Sequence, residues 1–210
     1  MIKVTPFIYE DLDDLYANTY LLTDKDNNAV VIDPSKPNTS ITDYVRKHNL
    51  NLKGILLTHG HIDHIRGVDA IVSVMPVPVY IGFFDANKLQ DPHENCSFLF
   101  EKKETIDAKA ETVSEGEALN LLNEEITVIE VPYHTSGSVC YYLKDSGLLF
   151  VGDFILEHSV GRCDLPTAMP REFRKSMSKI VSLPKETKIY SGHGKKTTIE
   201  EELSSNPFVK

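Results

Sequence analysis

Thr58-His59-Gly60-His61-Ile62-Asp63-His64 is the stretch from which the rest of this sequence can be organised. Four metal-capable side chains fall within six residues, in the spacing H-x-H-x-D-H. Gly54-Ile55-Leu56-Leu57 precedes it, short and apolar enough for a buried strand. Ile65, Val68, Ala70, Ile71 and Val74 follow at roughly helical spacing and predict one helix after it. The four side chains therefore sit on a strand-to-helix turn, where two rigid elements can aim them into one cleft.

With 210 residues, 41% of them hydrophobic and 25% charged, the chain has the composition of an ordinary globular protein with a real core. A net charge of −9 argues against a nucleic-acid partner, which would need a basic face. It does not exclude an anionic small substrate, because bound metal ions can dominate the local field. Cys96, Cys140 and Cys163 are odd in number and lack C-x-x-C spacing, so no disulfide framework is expected and a reducing cytoplasm is the simplest setting. Residues Met1 to Asp14 contain no long apolar run of the signal-peptide kind. The most apolar stretch, Ala70 to Phe84, is interrupted by Pro76 and Pro78, so no membrane span is expected.

Working outward, Tyr20-Leu21-Leu22 and Ala29 to Ile32 read as strands across a polar turn. Thr39 or Ser40 can cap a helix whose inner face holds Ile41, Tyr44 and Val45. Val77 to Ile81 is another strand, and residues 85–115 predict a short helix and a loop bordering the cleft. The second half offers Leu119 to Leu121, Ile126 to Ile129, Val139 to Leu143, Leu148 to Val151 and Lys188 to Ser191 as strands. Pro170 can open a helix faced by Phe173, Met177, Ile180 and Val181, and Thr197-Thr198 can cap a terminal one. Tyr141 and Tyr142 alternate, which predicts one core and one surface ring. No linker divides the chain, so residues 1–210 form one α/β domain of two facing sheets with helices outside.

Three further strand ends carry imidazole or carboxylate: His134 after Val131-Pro132-Tyr133, Asp153 after Val151-Gly152, and His193 after Ser191-Gly192. That suffices for two divalent ions. One division gives His59, His61 and His134 to the first ion, Asp63, His64 and His193 to the second, and Asp153 to both. Such ligands suit zinc, iron or manganese better than calcium, and neither set closes a structural site.

These residues, with Gly152-Asp153 and Gly192-His193-Gly194, resemble the metallo-β-lactamase superfamily. The nearer resemblance is to its glyoxalase II-like (hydroxyacylglutathione hydrolase-like) branch. Asn18 to Leu22, Val30 to Pro34, Gly137 to Cys140, Ser159 to Pro166, Thr197 to Ile199 and Asn206-Pro207-Phe208 carry it. It implies the four-layer αβ/βα sandwich, two facing mixed sheets, a binuclear centre with zinc as the first choice, and thioester hydrolysis by a metal-activated hydroxide. Asp63 and Asp153 would then be catalytic, positioning the nucleophile, and Arg162 would hold a substrate carboxylate. The sequence departs from the branch at Tyr133 and Ser136, at Glu157-His158, and at Thr167-Ala168. His158 is placed by its position after Asp153 on the expected substrate side. The chain ends soon after Phe208, as a short form without the C-terminal helical region that adds glutathione contacts. The expected partner is a small molecule, such as S-lactoylglutathione or another acyl thiol. The alternatives are an iron-dependent persulfide dioxygenase using only His59, His134 and Asp153, a lactone or β-lactam hydrolase, and a non-catalytic metal binder.

Overall fold

The computed structural model describes residues 1–9, 16–100 and 102–209. Residues 10–14 of the N-terminal reading and Glu101 of the charged run 101–104 lie outside the described residues. The first sheet has the order β1 (Lys3–Phe7), β2 (Thr19–Thr23), β3 (Asn28–Ile32), β4 (Asn51–Leu57), β5 (Val79–Gly82), β6 (Ala110–Val113). The pairs β1–β2 and β2–β3 are antiparallel, and β3 through β6 run parallel. The second sheet is built from β7 (Ala118–Leu119), β8 (Ile126–Glu130), β9 (Val139–Leu143), β10 (Leu148–Gly152), β13 (Lys188–Ser191) and β14 (Thr197–Thr198). Its spatial order is β14-β13-β10-β9-β8-β7, with β10 and β13 parallel and the other pairs antiparallel. A two-stranded ribbon, β11 (Ile155–Leu156) and β12 (Ser159–Val160), follows β10.

Period-two alternation sorts the strand residues into layers. Val30, Ile32 and Leu56 point between the sheets, where they meet Val128, Tyr141, Leu143, Leu148 and Phe150. Val31, Ile55, Leu57 and Ile81 face outward beneath α1 (Ser40–Lys47), α2 (Ile62–Ile65) and α3 (Val68–Val72). On the far side Cys140, Tyr142, Leu149 and Val151 lie under α4 (Phe173–Val181) and α5 (Ile199–Ser205). This is the expected helix–sheet–sheet–helix sandwich. Because both sheets are covered on both faces, Tyr141 and Tyr142 are both buried, which corrects the expected surface ring. The Tyr141 hydroxyl donates to the Leu57 carbonyl at 2.9 Å and ties one sheet to the other.

Other details depart from the periodicity. The helix after the motif is broken in two at Gly67, whose N–H donates to the Pro34 carbonyl at 2.7 Å. A Cβ there would stand 2.7 Å from that oxygen, so the chain turns where only glycine fits. Val74 consequently falls beyond α3 and is exposed. Asn38, not Thr39 or Ser40, supplies the side-chain oxygen at the start of α1, accepting from Ser40 N–H at 3.0 Å. Residues 85–115 contain the 3-10 turns Phe83–Gln90 and Ser97–Leu99 and also strand β6. Pro170 opens a 3-10 turn that runs into α4. The Thr198 hydroxyl caps α5, accepting from Glu201 N–H at 3.2 Å. Cys96, Cys140 and Cys163 are free thiols. No helix among the described residues is long and apolar enough to cross a membrane.

Candidate metal centre

Strands β3, β4 and β5 run in one direction in the first sheet, and β8, β10 and β13 in one direction in the second. Their carboxyl ends meet at one rim, the usual place for chemistry on parallel strands. His59, His61, Asp63 and His64 follow β4, His134 follows β8, Asp153 follows β10 and His193 follows β13. The structure brings all seven together. Ligand-type atoms of His59, His61 and His134 lie within 4.8 Å of one another, as do those of Asp63, His64 and His193. His59, His64 and Asp153 form a third such group that joins the two. Asp153 stands between them: Oδ1 is 3.4 Å from His64 Nε2, and Oδ2 is 3.7 Å from His134 Nε2 and 3.6 Å from His193 Nε2.

The hydrogen bonds behind the rings decide which nitrogen faces the cleft. The Thr58 hydroxyl donates to Asp33 Oδ2 at 2.6 Å, so its oxygen accepts from His59 Nδ1 at 3.1 Å. His64 Nδ1 donates to the same Asp33 Oδ2 at 2.9 Å, and His134 Nδ1 donates to the Arg162 carbonyl at 2.6 Å. In each case the Nε2 lone pair is left aimed inward, as outer-shell acceptors do for ligand histidines. His61 turns the other way, with Nδ1 at 2.9 Å from His134 Nε2. Nε2 of His59, His61 and His64 and Oδ1 of Asp153 are buried without a hydrogen-bond partner among the described residues. Buried acceptors without donors are costly in a protein interior. Clustered imidazole and carboxylate lone pairs of this kind fit divalent cations.

The charges are unevenly distributed. Burial and the neighbouring His64 and His61 push the His59 imidazole far below its usual range, and burial with His134 brings His61 down to about 3. Burial acts in the same direction on His64, but the Asp63 and Asp153 carboxylates and the bond to Asp33 outweigh it and raise that group. For His193, too, Asp153 and Asp63 overcome burial and raise the imidazole. Burial opposes ionisation of Asp153, yet His64 and His193 hold its carboxyl well below the usual carboxylate range. His59 and His61 are thus held neutral, while His64 and His193 are ion-paired with Asp63 and Asp153.

Asp33 is a site residue whose role the sequence did not disclose. Besides His64 and the Thr58 hydroxyl it accepts from Thr58 N–H at 2.8 Å, and its own φ is 47°. Asn tolerates that backbone as readily as Asp, so Asp33→Asn isolates the carboxylate. It is expected to weaken Zn²⁺ binding by about 10- to 100-fold, the usual effect of losing an outer-shell acceptor; competition with a chromophoric chelator measures it.

Two predicted substrate contacts have different fates. Arg162 is exposed beside the cluster, its guanidinium forked onto Asp164 at 2.6 and 2.8 Å. His158 is not brought to the cluster. It lies in the β11–β12 turn with φ 57°, its N–H donates to the Glu202 carboxylate, and its imidazole pairs with Glu201 Oε1 at 2.9 Å. It lines a cavity of about 370 Å³ with Glu157, Lys196, Thr198 and Glu201, and none of the seven clustered residues borders that space. The buried Glu202 carboxylate, which also accepts from Thr197 and Asn206, turns this ribbon toward α5 instead of the cleft.

A sandwich whose carboxyl-end rim gathers imidazoles and carboxylates defines a metal-binding class of protein. The model of the metallo-β-lactamase superfamily matches residues 12–193, and the chain belongs to that superfamily. A probable metallo-hydrolase of Bacillus subtilis, YqgX, is 32% identical over 197 residues, covering 93% of each chain. A hydroxyacylglutathione hydrolase of Prochlorococcus marinus is 34% identical over 177 residues, 84% of this chain and 64% of that one. Among solved structures, the BLEG-1 B3 metallo-β-lactamase superposes with a TM-score of 0.90 at 33% identity, covering 100% of this chain and 99% of that one. TTHA1623 in a di-iron-bound form gives 0.86 at 30%, covering 98% and 100%.

Proposed function

We propose that this protein is a binuclear metal-dependent hydrolase that cleaves thioesters of small acyl thiols. The observation that carries the proposal is the pair of ligand sets joined through Asp153, which places donors for a second ion beside the three imidazoles. The similarity to a hydroxyacylglutathione hydrolase supports the thioester class. In this reading His59, His61 and His134 hold one divalent ion, Asp63, His64 and His193 the other, and Asp153 both, with zinc the first choice. Bound there, two such ions supply Lewis acidity and lower the pKa of water toward neutrality.

The chain's own groups do the rest. Asp63 and Asp153 are mostly buried carboxylates at the cleft floor, with the His193 ring 3.1 Å from Asp63 Oδ2. They orient the attacking water and hold its proton-accepting face toward the substrate carbonyl. A thiolate leaves without strong acid assistance, so a thioester needs no dedicated proton donor. Arg162 is the proposed contact for a substrate carboxylate. Its exposed pair with Asp164 is weak in water, and a ligand carboxylate can replace Asp164 in the same fork. Arg162→Ala is therefore expected to raise KM for carboxylate-bearing thioesters about tenfold with kcat retained, the mark of lost ground-state binding.

The similarity to a B3 metallo-β-lactamase favours a second reading, hydrolysis of a cyclic amide. The deciding experiment loads purified protein with Zn²⁺ and assays S-lactoylglutathione, other acyl thiols, a lactone, a β-lactam and, with an oxygen electrode, glutathione persulfide. Chelator-sensitive thioester cleavage exceeding the other activities is expected. Protein carrying two zinc ions that cleaves no thioester in the panel overturns the proposal.

A further inference from the structure

One buried carboxylate joins the two loops that carry the three imidazoles. Asp85 lies in the 3-10 turn Phe83–Gln90 that follows β5, and it is fully buried. Its Oδ2 accepts from Gly60 N–H at 2.9 Å and from the Thr135 hydroxyl at 2.7 Å, while Oδ1 accepts from Gly137 N–H at 2.8 Å. Gly60 stands between His59 and His61 on the loop from the first sheet. Thr135 and Gly137 follow His134 on the loop from the second. A single side chain thus bonds both loops that carry the three imidazoles.

Lys88, one turn further and equally buried, places Nζ 3.3 Å from Asp85 Oδ1 and 3.8 Å from Glu94 Oε2. Its role toward Asp85 is that of a counter-ion, since an unpaired carboxylate in this interior would be strongly disfavoured. Packing reinforces the bonds. A Cβ at Gly60 would come within 2.7 Å of Lys88 Cβ, and one at Gly137 within 2.6 Å of Asp85 Oδ1. Both loops lie directly against this turn. The other ligand set is supported elsewhere: His64 by Asp33, and the His193 loop by Asn18, whose amide donates to the Ser191 and Gly194 carbonyls.

We propose that Asp85, with Lys88 as counter-ion, is a positioning residue that sets the separation between the His59/His61 loop and the His134 loop, and thereby tunes metal affinity at the three-imidazole set alone. It rests on the metal reading of the centre and not on the substrate. In Asp85→Asn the amide keeps the shape but presents N–H where Gly60, Thr135 or Gly137 already donates. Lys88 also loses its partner, which can destabilise the fold regardless of the loops. The double variant Asp85→Asn/Lys88→Met removes that stranded charge and keeps the aliphatic stem against Gly60.

The test titrates the metal-free proteins with Zn²⁺ against a chromophoric chelator, resolving two dissociation constants, and records their melting temperatures. Expected in both variants is a loss of about 10- to 100-fold in one constant, with the other unchanged, and a melting temperature recovered in the double variant. In a His193→Ala background the loss persists, and in a His61→Ala background it disappears. Unchanged constants with a lowered melting temperature would reduce Asp85 to a structural residue and overturn the proposal. So would an equal fall in both constants. A wild type that binds no Zn²⁺ overturns the metal reading and this inference together, whereas a wild type that binds two ions but cleaves no thioester leaves the inference standing.

Discussion

Asp153→Asn is expected to lower turnover by about 1000-fold and to leave the protein folded with fewer than two zinc ions per chain. The carboxylate faces His64 with one oxygen and His134 and His193 with the other, at 3.4 to 3.7 Å. Among the described residues it is the carboxylate placed toward both ligand sets. An amide of the same shape has no charge and one acceptor, so it serves one side and turns a donor toward the other. Metal assistance to hydrolysis is worth several kcal/mol, and each 1.36 kcal/mol is a factor of ten in rate, which sets the magnitude. Backbone geometry gives no reason for unfolding, because Asn is close in volume and the Asp153 side chain retains some exposure. Steady-state kcat with metal analysis of the same sample is the measurement. A variant that keeps both ions and turns over within about tenfold of wild type, against the 1000-fold loss set by metal assistance, would remove Asp153 from the joint of the centre.

The seven clustered residues were readable because each sits within a few positions of an apolar strand, so that local sequence placed it at a strand end and topology did the rest. Asp33 and Asp85 were not. Asp33 ends a strand before Pro34, a position that reads as ordinary turn chemistry. Its partners Thr58 and His64 are 25 and 31 residues away. Asp85 falls in a polar stretch with no periodicity, and its partners lie 25 to 52 residues off on two loops. Tertiary contact also overrode local pattern at Gly67, where the Pro34 carbonyl breaks a helix that Ile65, Val68 and Ile71 would otherwise continue. Strand β6 is not legible in the sequence because Ala-Glu-Thr-Val, half exposed at a sheet edge, has no apolar alternation. His158 was placed by distance along the chain from Asp153. A reversal of two residues on each side, clamped by Glu202 forty-four positions later, points it elsewhere.

Phe150→Ala is expected to remove about 3–5 kcal/mol of stability, the usual range for deleting a fully buried ring. Phe150 is completely buried between the sheets, stacked on Tyr190 at 4.9 Å and tilted against Tyr20 at 5.5 Å. The vacated space cannot close easily, because β9 and β13 hold the strand on both sides through Tyr141 and Tyr190. Domains of this kind are stable by about 5–15 kcal/mol in total, so the metal-free variant should melt well below wild type. The lesion lies near the centre along two routes: Asp153 is three residues on, and the Tyr20 hydroxyl donates at 2.7 Å to Ser191, two residues before His193. A Zn²⁺ concentration one hundred times the dissociation constant returns about 2.7 kcal/mol for each ion bound only by the folded state. Zinc should therefore raise the melting temperature of Phe150→Ala and restore a folded population whose kcat per folded molecule is close to wild type, because the aromatic ring supports the strand ends without contacting the ligands. Thermal denaturation with and without Zn²⁺, beside active-site titration, separates the two effects. A loss below about 1 kcal/mol, far under the range for a fully buried ring, would mean that the two sheets can close over the gap, and that the rim is held by Tyr141 on Leu57 and Tyr20 on Ser191 more than by the core beneath it.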